Sequence, residues 1–235
     1  QIPVIVVKNV RTSLSEACSN FYKEKPKNII AVTGTNGKSS VANFFYQILT
    51  FNKVLAASIG TLGINSKNYN IKTKLTTMDP LFLHKNLEIL VKNKVNHVIL
   101  EASSHGLDQK RIDYLKLKLG IFTNISHDHL DYHKNMESYF NSKMHLFKNL
   151  LRERSTVITD EENSKFKILN NILKNKKIKK ITIGKHSGNL RILNHSYKKN
   201  KQVVQFSLNS EKFDIQIPLI GDFQIKNIFM AAFAA

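Results

Sequence analysis

A glycine-rich turn between an apolar segment and a helical pattern constrains this chain more than any other feature. The turn covers residues 34–40, follows the apolar residues 29–32 and precedes the helical pattern at 41–49. Glycines let backbone N–H groups approach an anion, and a helix N-terminus adds unpaired donors and partial positive charge. The pattern predicts a nucleotide site in which Lys38 neutralises phosphates and Ser39 offers a hydroxyl to Mg²⁺.

The turn departs from the strict phosphate-loop pattern at one position. Val32 stands five residues before Gly37, where the strict pattern has glycine. The match is therefore to a shorter Gly-x-x-Gly-Lys-Ser form. The alternative interpretation is an ordinary glycine turn without a ligand.

Composition narrows the class of protein. A chain of 235 residues can form one or two domains with a real core, and it has no apolar run of about 18 residues that would span a membrane. The single cysteine, Cys18, excludes an internal disulfide and suits the cytoplasm. The missing initiator Met, and a final helical pattern that meets no stop signal before Ala235, lead us to expect a fragment.

The net charge of +19 raises the alternative of a basic phosphate-loop module that binds nucleic acid. Lysines outnumber arginines, dense runs occur only at 173–180 and 198–201, and no aromatic residues interleave with a basic motif. We therefore attribute the charge to lysine-biased composition on solvated faces and expect no nucleic-acid partner.

Alternating patterns predict an α/β fold: a mostly parallel sheet of the phosphate-loop type, flanked by helices, with a small antiparallel β subdomain near the C-terminal part. Before residue 28 we expect a strand at 2–7 and a helix at 12–22. Strands are then predicted at 28–33, 53–59, 95–101, 117–123, 155–159 and 179–183, and helices at 39–50, 81–93, 135–151 and 162–174. The antiparallel strands are expected at 190–197, 202–208 and 212–217, before a last helix that starts near Asp222.

Glu101 ends an apolar strand-like segment, and ligands of open α/β sheets gather at the carboxyl ends of strands. We favour a magnesium-binding role for this carboxylate over a solvated strand-end glutamate. The polar turn that follows, residues 103–107, is suited to binding oxygen atoms of a substrate.

Residues 123–133 form the densest polar cluster, with three histidines and two aspartates between 127 and 133. The mixture suits a transition metal, a hard cation or phosphate chemistry, and the residues alone leave these open. One or two histidines, His133 among them, are expected only to cap a helix or fill a polar pocket.

Lys143 falls on the apolar stripe of a predicted helix, between Phe140 and Phe147. A buried amine with a lowered pKa is one interpretation. On the pattern alone we favour snorkelling, in which the stem packs and the ammonium reaches water.

Six segments together resemble the Mur ligase family, and most closely its branch that adds the third residue of the peptidoglycan stem peptide. They are residues 33–39, 76–77, 101–107, 128–133, 139–147 and 221–227. The resemblance covers essentially the whole chain. It implies that residues 1–27 are the end of an N-terminal UDP-binding domain with a linker, and that 28–235 are a central ATP-binding domain truncated in its C-terminal part.

The resemblance also assigns roles to individual residues, with ATP and Mg²⁺ as cofactors. Lys38, Lys143 and His129 would be catalytic. ATP would be held by Gly34, Thr35, Asn36, Gly37, Lys38, Ser39, Ser40 and, near adenine, Asn227. Ser39 and Glu101 would hold one Mg²⁺ and His129 a second, with Lys143, as a carbamate, a further metal ligand. In the family the lysine is a carbamate, which requires a neutral amine of the kind that burial favours.

The implied reaction is ATP-dependent amide formation through an acyl phosphate. The substrates would be UDP-N-acetylmuramoyl-L-Ala-D-Glu, held by Thr76, Thr77, Ser103, Gln109 and Arg111, and an incoming amino acid, either diaminopimelate or lysine. We expect a cytoplasmic monomer that does not ligate as a fragment. Another Mur ligase or a folylpolyglutamate-type ligase is the nearest alternative.

Overall fold

A ten-stranded sheet forms the centre of the computed structural model, which describes residues 2–235. Its strand order is β10-β9-β8-β7-β6-β5-β1-β4-β2-β3. The strands are β1 Asn28–Thr33, β2 Ala56–Gly60, β3 Gly63–Ser66, β4 His97–Glu101, β5 Leu117–Phe122, β6 Thr156–Asp160, β7 Lys179–Gly184, β8 Leu190–Lys198, β9 Lys201–Leu208 and β10 Glu211–Ile217. The seven neighbouring strands β8-β7-β6-β5-β1-β4-β2 pair in parallel. Antiparallel pairing is confined to β3 at one edge of the sheet and to β9 and β10 at the other. The predicted fold class is confirmed.

Helices cover both faces of this sheet. They are α1 Val10–Phe21, α2 Lys38–Phe51, α3 Pro80–Lys92, α4 Ser104–Asp108, α5 Leu130–His133, α6 Met136–His145, α7 Phe166–Leu173 and α8 Phe223–Ala234. One core includes buried residues of α3, α6 and α7, and the other packs α2 and α8 on the opposite face. Val41, Phe45 and Leu49 recur every four residues, so they line one side of α2 and are buried there. Each contributes roughly 1.5–3 kcal/mol by leaving water.

The parallel topology decides where the chemistry can lie. Strand β1 is central and pairs with β4 on one side and β5 on the other. The carboxyl ends of these three strands therefore meet at one edge, and they bring together the turn after Thr33, Glu101 and the segment after Phe122.

The long helix predicted at 135–151 is interrupted in its second half. Asn135 caps α6 by accepting the Ser138 N–H, and a π-helical turn, Leu146–Leu150, follows α6 directly. The carbonyl groups that end this segment are satisfied by the Lys176 ammonium, which donates to the oxygens of Phe147, Lys148 and Leu151.

Two further expectations differ from the structure. No strand forms at 2–7, because these apolar residues pair with no sheet strand and their side chains are exposed. The hairpin strand β3 and the short helices α4 and α5 were not predicted, since segments of four or five residues carry little periodicity.

The burial of His84 in α3 should make the free energy of unfolding depend on pH. His84 is fully buried, neither ring nitrogen has a hydrogen-bond partner within residues 2–235, and burial together with the Lys25 charge lowers its pKa to about 4. The unfolded chain therefore binds an extra proton between pH 6.5 and 4. We expect the free energy of unfolding to fall over this range by up to about 3 kcal/mol.

Urea titrations at a series of pH values would measure this loss. His84→Leu should flatten the profile between pH 6.5 and 4, whereas the same change at exposed His186 should leave it unaltered. An identical acid limb in the His84→Leu variant would contradict the assignment.

Candidate functional site

The glycine turn adopts a conformation that requires glycine at two positions. Gly34 and Gly37 have φ angles of 152° and 85°. A Cβ at Gly34 would collide with the Thr123 hydroxyl, and one at Gly37 would lie 2.6 Å from Asn227 Oδ1. Helix α2 begins at Lys38, and among the described residues no side chain caps its first N–H groups. The loop thus presents free donors at a positive helix end, as an anion site requires.

The segment after β5 holds the loop in place. The Thr35 N–H donates to the Asn124 carbonyl over 3.0 Å, and the Asn36 N–H donates to Asn124 Oδ1 over 2.9 Å. The Thr123 hydroxyl donates to the Asn36 carbonyl over 2.7 Å. Thr123 and Asn124 belong to the polar cluster at 123–133, and their role as the support of the loop is not predicted by the sequence pattern.

Two lysines converge on one carbonyl oxygen. Lys38 Nζ donates to Gly34 O over 2.9 Å and to Thr35 O over 2.8 Å, and Lys143 Nζ donates to the same Gly34 O over 2.9 Å. Lys143 is 1% exposed, so the snorkelling prediction is wrong. The ammonium could not reach water because helix α6 packs this stripe against the loop.

Burial and a neighbouring charge favour the neutral amine of Lys143. Burial lowers its pKa, the positive charge of Lys38 lowers it further, and the resulting pKa is about 7. The pKa of Lys38 is also lowered by burial, against the opposing effects of Glu101 and Asp128. A large fraction of Lys143 is therefore unprotonated near neutral pH and available as a nucleophile or ligand.

Glu101 is buried beside the loop. It is 3% exposed, and its carboxylate accepts hydrogen bonds from the Ser39 hydroxyl over 2.8 Å, the Thr61 N–H over 2.9 Å and the Thr61 hydroxyl over 3.2 Å. A side chain at Gly60 would collide with this carboxylate. The alternative of a solvated strand-end glutamate is therefore wrong. Thr61 lies in the turn between β2 and β3, and no sequence signal marked it.

The donor set fits magnesium. Mg²⁺ commonly takes one or two carboxylates and completes its shell with waters and substrate phosphates. Ser39 and Glu101 supply a hydroxyl and a carboxylate next to the anion site. Within residues 2–235 no group of three or more His, Cys, Asp or Glu residues is placed to hold a metal ion.

His129 lies at the rim of the site, just before α5. It has a φ of 52°, its side chain is 44% exposed, and its Nε2 is 3.4 Å from Asp128 Oδ2. Its ring centroid lies 4.9 Å from that of His105 and 6.1 Å from that of Tyr139. His133 by contrast is buried against Tyr139 and His105, as expected of a histidine that fills a pocket.

The five residues expected to bind the UDP substrate belong to one hydrogen-bonded patch. The Thr76 hydroxyl is 3.0 Å from that of Thr61. The Thr77 hydroxyl donates to the Glu101 carbonyl over 2.8 Å and accepts the Ser103 N–H over 2.9 Å.

The patch continues through Arg111, which donates to the Thr77 carbonyl and to Gln109 Oε1, each over 2.6 Å. Thr77 is buried with its hydroxyl engaged internally, so it shapes the patch, whereas Thr76, Ser103, Gln109 and Arg111 are half-buried.

A cavity of about 570 Å³ opens beside the loop. Its walls come from the end of β6, from β8 and from the first turns of α8, together with Thr123 and Asn124. Asn227 joins the cavity to the loop, because its carboxamide faces Gly37. A cavity of this size and mixed lining suits a small organic ligand.

Tyr139 is a site residue that the sequence motif included without a role. It is fully buried, its hydroxyl is 3.0 Å from the Thr35 hydroxyl, and Lys143 Nζ lies 4.3 Å from its ring centroid. Its position four residues before Lys143 on a helix is the signal that would have found it.

Comparison with known proteins agrees with this geometry. The family model described as the Mur ligase middle domain matches residues 32–235. A UDP-N-acetylmuramoyl-L-alanyl-D-glutamate–2,6-diaminopimelate ligase of Rickettsia montanensis is 40% identical over 97% of this chain and 48% of its own length. The enzyme of the same name from Brucella melitensis is 39% identical over 98% of this chain and 47% of its own. The chain spans about half the length of the curated relatives it matches.

Solved structures share the fold. The structure of a UDP-N-acetylmuramoyl-L-alanyl-D-glutamate–2,6-diaminopimelate ligase superposes with a TM-score of 0.86 at 27% identity, over 98% of this chain and 48% of that chain. A MurF ligase from Thermotoga maritima in complex with ADP gives a TM-score of 0.68 at 16% identity, over 99% of this chain and 52% of that one. At that identity the second likeness speaks for the fold alone.

Proposed function

This chain belongs to the Mur ligase family, and from that premise we propose that it is the central domain of a ligase that adds 2,6-diaminopimelate to UDP-N-acetylmuramoyl-L-Ala-D-Glu. The names of the two curated relatives described above support both substrates and favour diaminopimelate over lysine. Residues 28–235 would form the ATP-binding domain, and 1–27 the end of a UDP-binding domain with its linker. Residues 2–235 contain no helix that is long and apolar enough to cross a membrane. We propose a monomer that acts in the cytoplasm.

One observation carries this proposal: Lys38 and Lys143 meet on the Gly34 carbonyl beside the Ser39–Glu101 pair. A simple phosphate loop needs only the first lysine and the hydroxyl. The second lysine is not required for phosphate binding, and burying its amine costs free energy that one hydrogen bond to a backbone carbonyl offsets only in part. Its presence at this position supports a chemical role.

The roles follow from position. Residues 34–40 would hold the phosphates, with Lys38 as the fixed charge, and Asn227 would approach adenine from the cavity. Ser39 and Glu101 would hold one Mg²⁺ and His129 a second, with the carbamate of Lys143 as a further magnesium ligand. When bound, the two ions would neutralise charge on the transferring phosphoryl group. To form the carbamate, the neutral Lys143 nitrogen bonds to carbon dioxide and one proton leaves to solvent.

The hydrogen-bonded patch would position the substrate. Thr76, Ser103, Gln109 and Arg111 would face the dipeptide, with Thr77 behind them. The terminal carboxylate of the dipeptide would attack the γ-phosphate of ATP to give an acyl phosphate and ADP. The amine of the incoming residue would then displace phosphate from the acyl carbon and lose a proton to form the amide. The protein contributes alignment and charge neutralisation at a fixed site.

Substrate-dependent phosphate release from the native protein that contains this chain tests the proposal. We expect release from ATP only with UDP-N-acetylmuramoyl-L-Ala-D-Glu present and full turnover only with diaminopimelate. Release triggered by a folate or by another UDP-muramoyl peptide would favour the alternative ligases. Salt-sensitive RNA or DNA binding without any response to UDP-muramoyl peptides would favour the nucleic-acid module.

We also expect the 235-residue chain alone to bind ATP without forming product. The phosphate loop and the cavity lie within it, whereas it covers about half the length of its relatives. Calorimetric titration with Mg-ATP and mass spectrometry of the reaction mixture would measure the two properties. Stoichiometric product from this chain alone would contradict the domain assignment.

A further inference from the structure

An ion-pair network lines the cavity beside the phosphate loop, and none of the roles proposed above uses it. Lys226 Nζ donates to Asp160 Oδ2 and to Glu162 Oε2, each over 2.6 Å. The Glu162 N–H in turn donates to Asp160 Oδ1 over 2.9 Å. Asp160 is 8% exposed, at the carboxyl end of β6, so one of the two carboxylates is buried.

The network joins the beginning of α8 to the end of β6. Lys226 lies on the first turn of α8, and among the described residues no side chain caps that helix. Ile225 in the same turn is buried in the apolar core on this face of the sheet, as are Phe229, Met230 and Ala231 further along the helix. The bonds from Lys226 to the end of β6 therefore add polar contacts to the apolar packing that holds the beginning of α8 against the sheet.

The position of the first turn of α8 also sets the position of Asn227, the residue next to Lys226. Asn227 is 4% exposed and packs its carboxamide against Gly37, close enough that a Cβ there would lie 2.6 Å from Oδ1. Asn227 Nδ2 also donates to Gln224 Oε1 over 3.1 Å, within the same turn. A small shift of this turn would move Asn227 away from the loop and widen the cavity mouth.

Charge balance supports a fixed arrangement. Burial alone would lower the pKa of Lys226, but its hydrogen bonds to the two carboxylates raise that pKa overall. Lys226 makes two charge-assisted hydrogen bonds of 2.6 Å to partly buried carboxylates, so this network is stronger and stiffer than an exposed ion pair.

We propose that Lys226, held by Asp160 and Glu162, is a positioning residue that fixes Asn227 beside Gly37 and thereby sets the affinity of the site for ATP. The inference rests on the proposed ATP-binding function. It predicts that Lys226 acts on the nucleotide through Asn227 and leaves the UDP substrate site untouched.

Calorimetric titration of the native protein with Mg-ATP tests this. We expect Lys226→Met to raise the Kd for ATP about tenfold, Lys226→Arg to restore most of the affinity, and the KM for the UDP substrate to stay unchanged. Lys92→Met, which breaks the exposed pair of Lys92 with Glu88, is the matched control and should leave the Kd unaltered.

A double-mutant cycle separates positioning from simple stabilisation. In an Asn227→Ala background, Lys226→Met should have little further effect on the Kd. Equal and additive effects, or a lowered Tm with an unchanged Kd, would overturn the inference. If Lys226→Met does not fold, Asp160→Asn gives the same comparison. Absence of ATP binding by the unsubstituted protein would instead overturn the proposed function and this inference with it.

Discussion

Replacement of Lys143 by methionine is expected to lower the ligation rate of the native protein by at least about a thousandfold, without loss of folding. Methionine matches the length of the lysine stem and needs no desolvated charge, so the buried stripe of α6 accepts it. The variant keeps the phosphate loop intact but has no amine beside the Gly34 carbonyl. The largest change should therefore appear in kcat, with the Kd for ATP altered much less.

The control is Lys148→Met, the same substitution at an exposed position five residues further along. It should retain full activity. The Tm of the Lys143→Met variant should equal or exceed that of the unsubstituted protein, because a partly charged buried group has been removed. Near-normal turnover by Lys143→Met would contradict a chemical role for this amine.

Replacement of Glu101 by glutamine is expected to raise the Mg²⁺ concentration needed for half-maximal activity at least about tenfold and to lower kcat about a hundredfold. The amide oxygen can still accept the Thr61 N–H, so the turn after β2 should hold. The amide group cannot provide the negative charge that the Ser39–Glu101 pair places beside the loop.

Initial rates across a magnesium titration would measure both effects. Glu88→Gln is the matched control, because Glu88 forms an ion pair with Lys92 away from the site. An unchanged magnesium dependence in the Glu101→Gln variant would remove this carboxylate from the proposed ligand set.

The features that local pattern and sheet topology decide were predictable from the sequence. The phosphate loop was predictable because glycine turn, strand and helix are contiguous. The approach of Glu101 to Ser39 was predictable because β4 ends beside β1 in a parallel sheet.

The features that depend on contacts between residues distant in the chain were not predictable from the sequence. Whether Lys143 reaches water depends on how α6 docks against the loop, and periodicity does not contain that information. Thr61 contacts Glu101 through a short hairpin turn, and Lys226 finds its carboxylates 66 and 64 residues away in the chain. The strand predicted for the apolar run at 2–7 does not form, because strand propensity alone does not provide a pairing partner.

The most direct test of the account is product analysis with the native protein, ATP, Mg²⁺, UDP-N-acetylmuramoyl-L-Ala-D-Glu and diaminopimelate. Mass spectrometry should show the UDP-muramoyl tripeptide formed in a one-to-one ratio with released phosphate, and neither should appear when the dipeptide substrate is omitted. Phosphate released without that substrate, or a complete mixture that yields no tripeptide, would contradict the assignment.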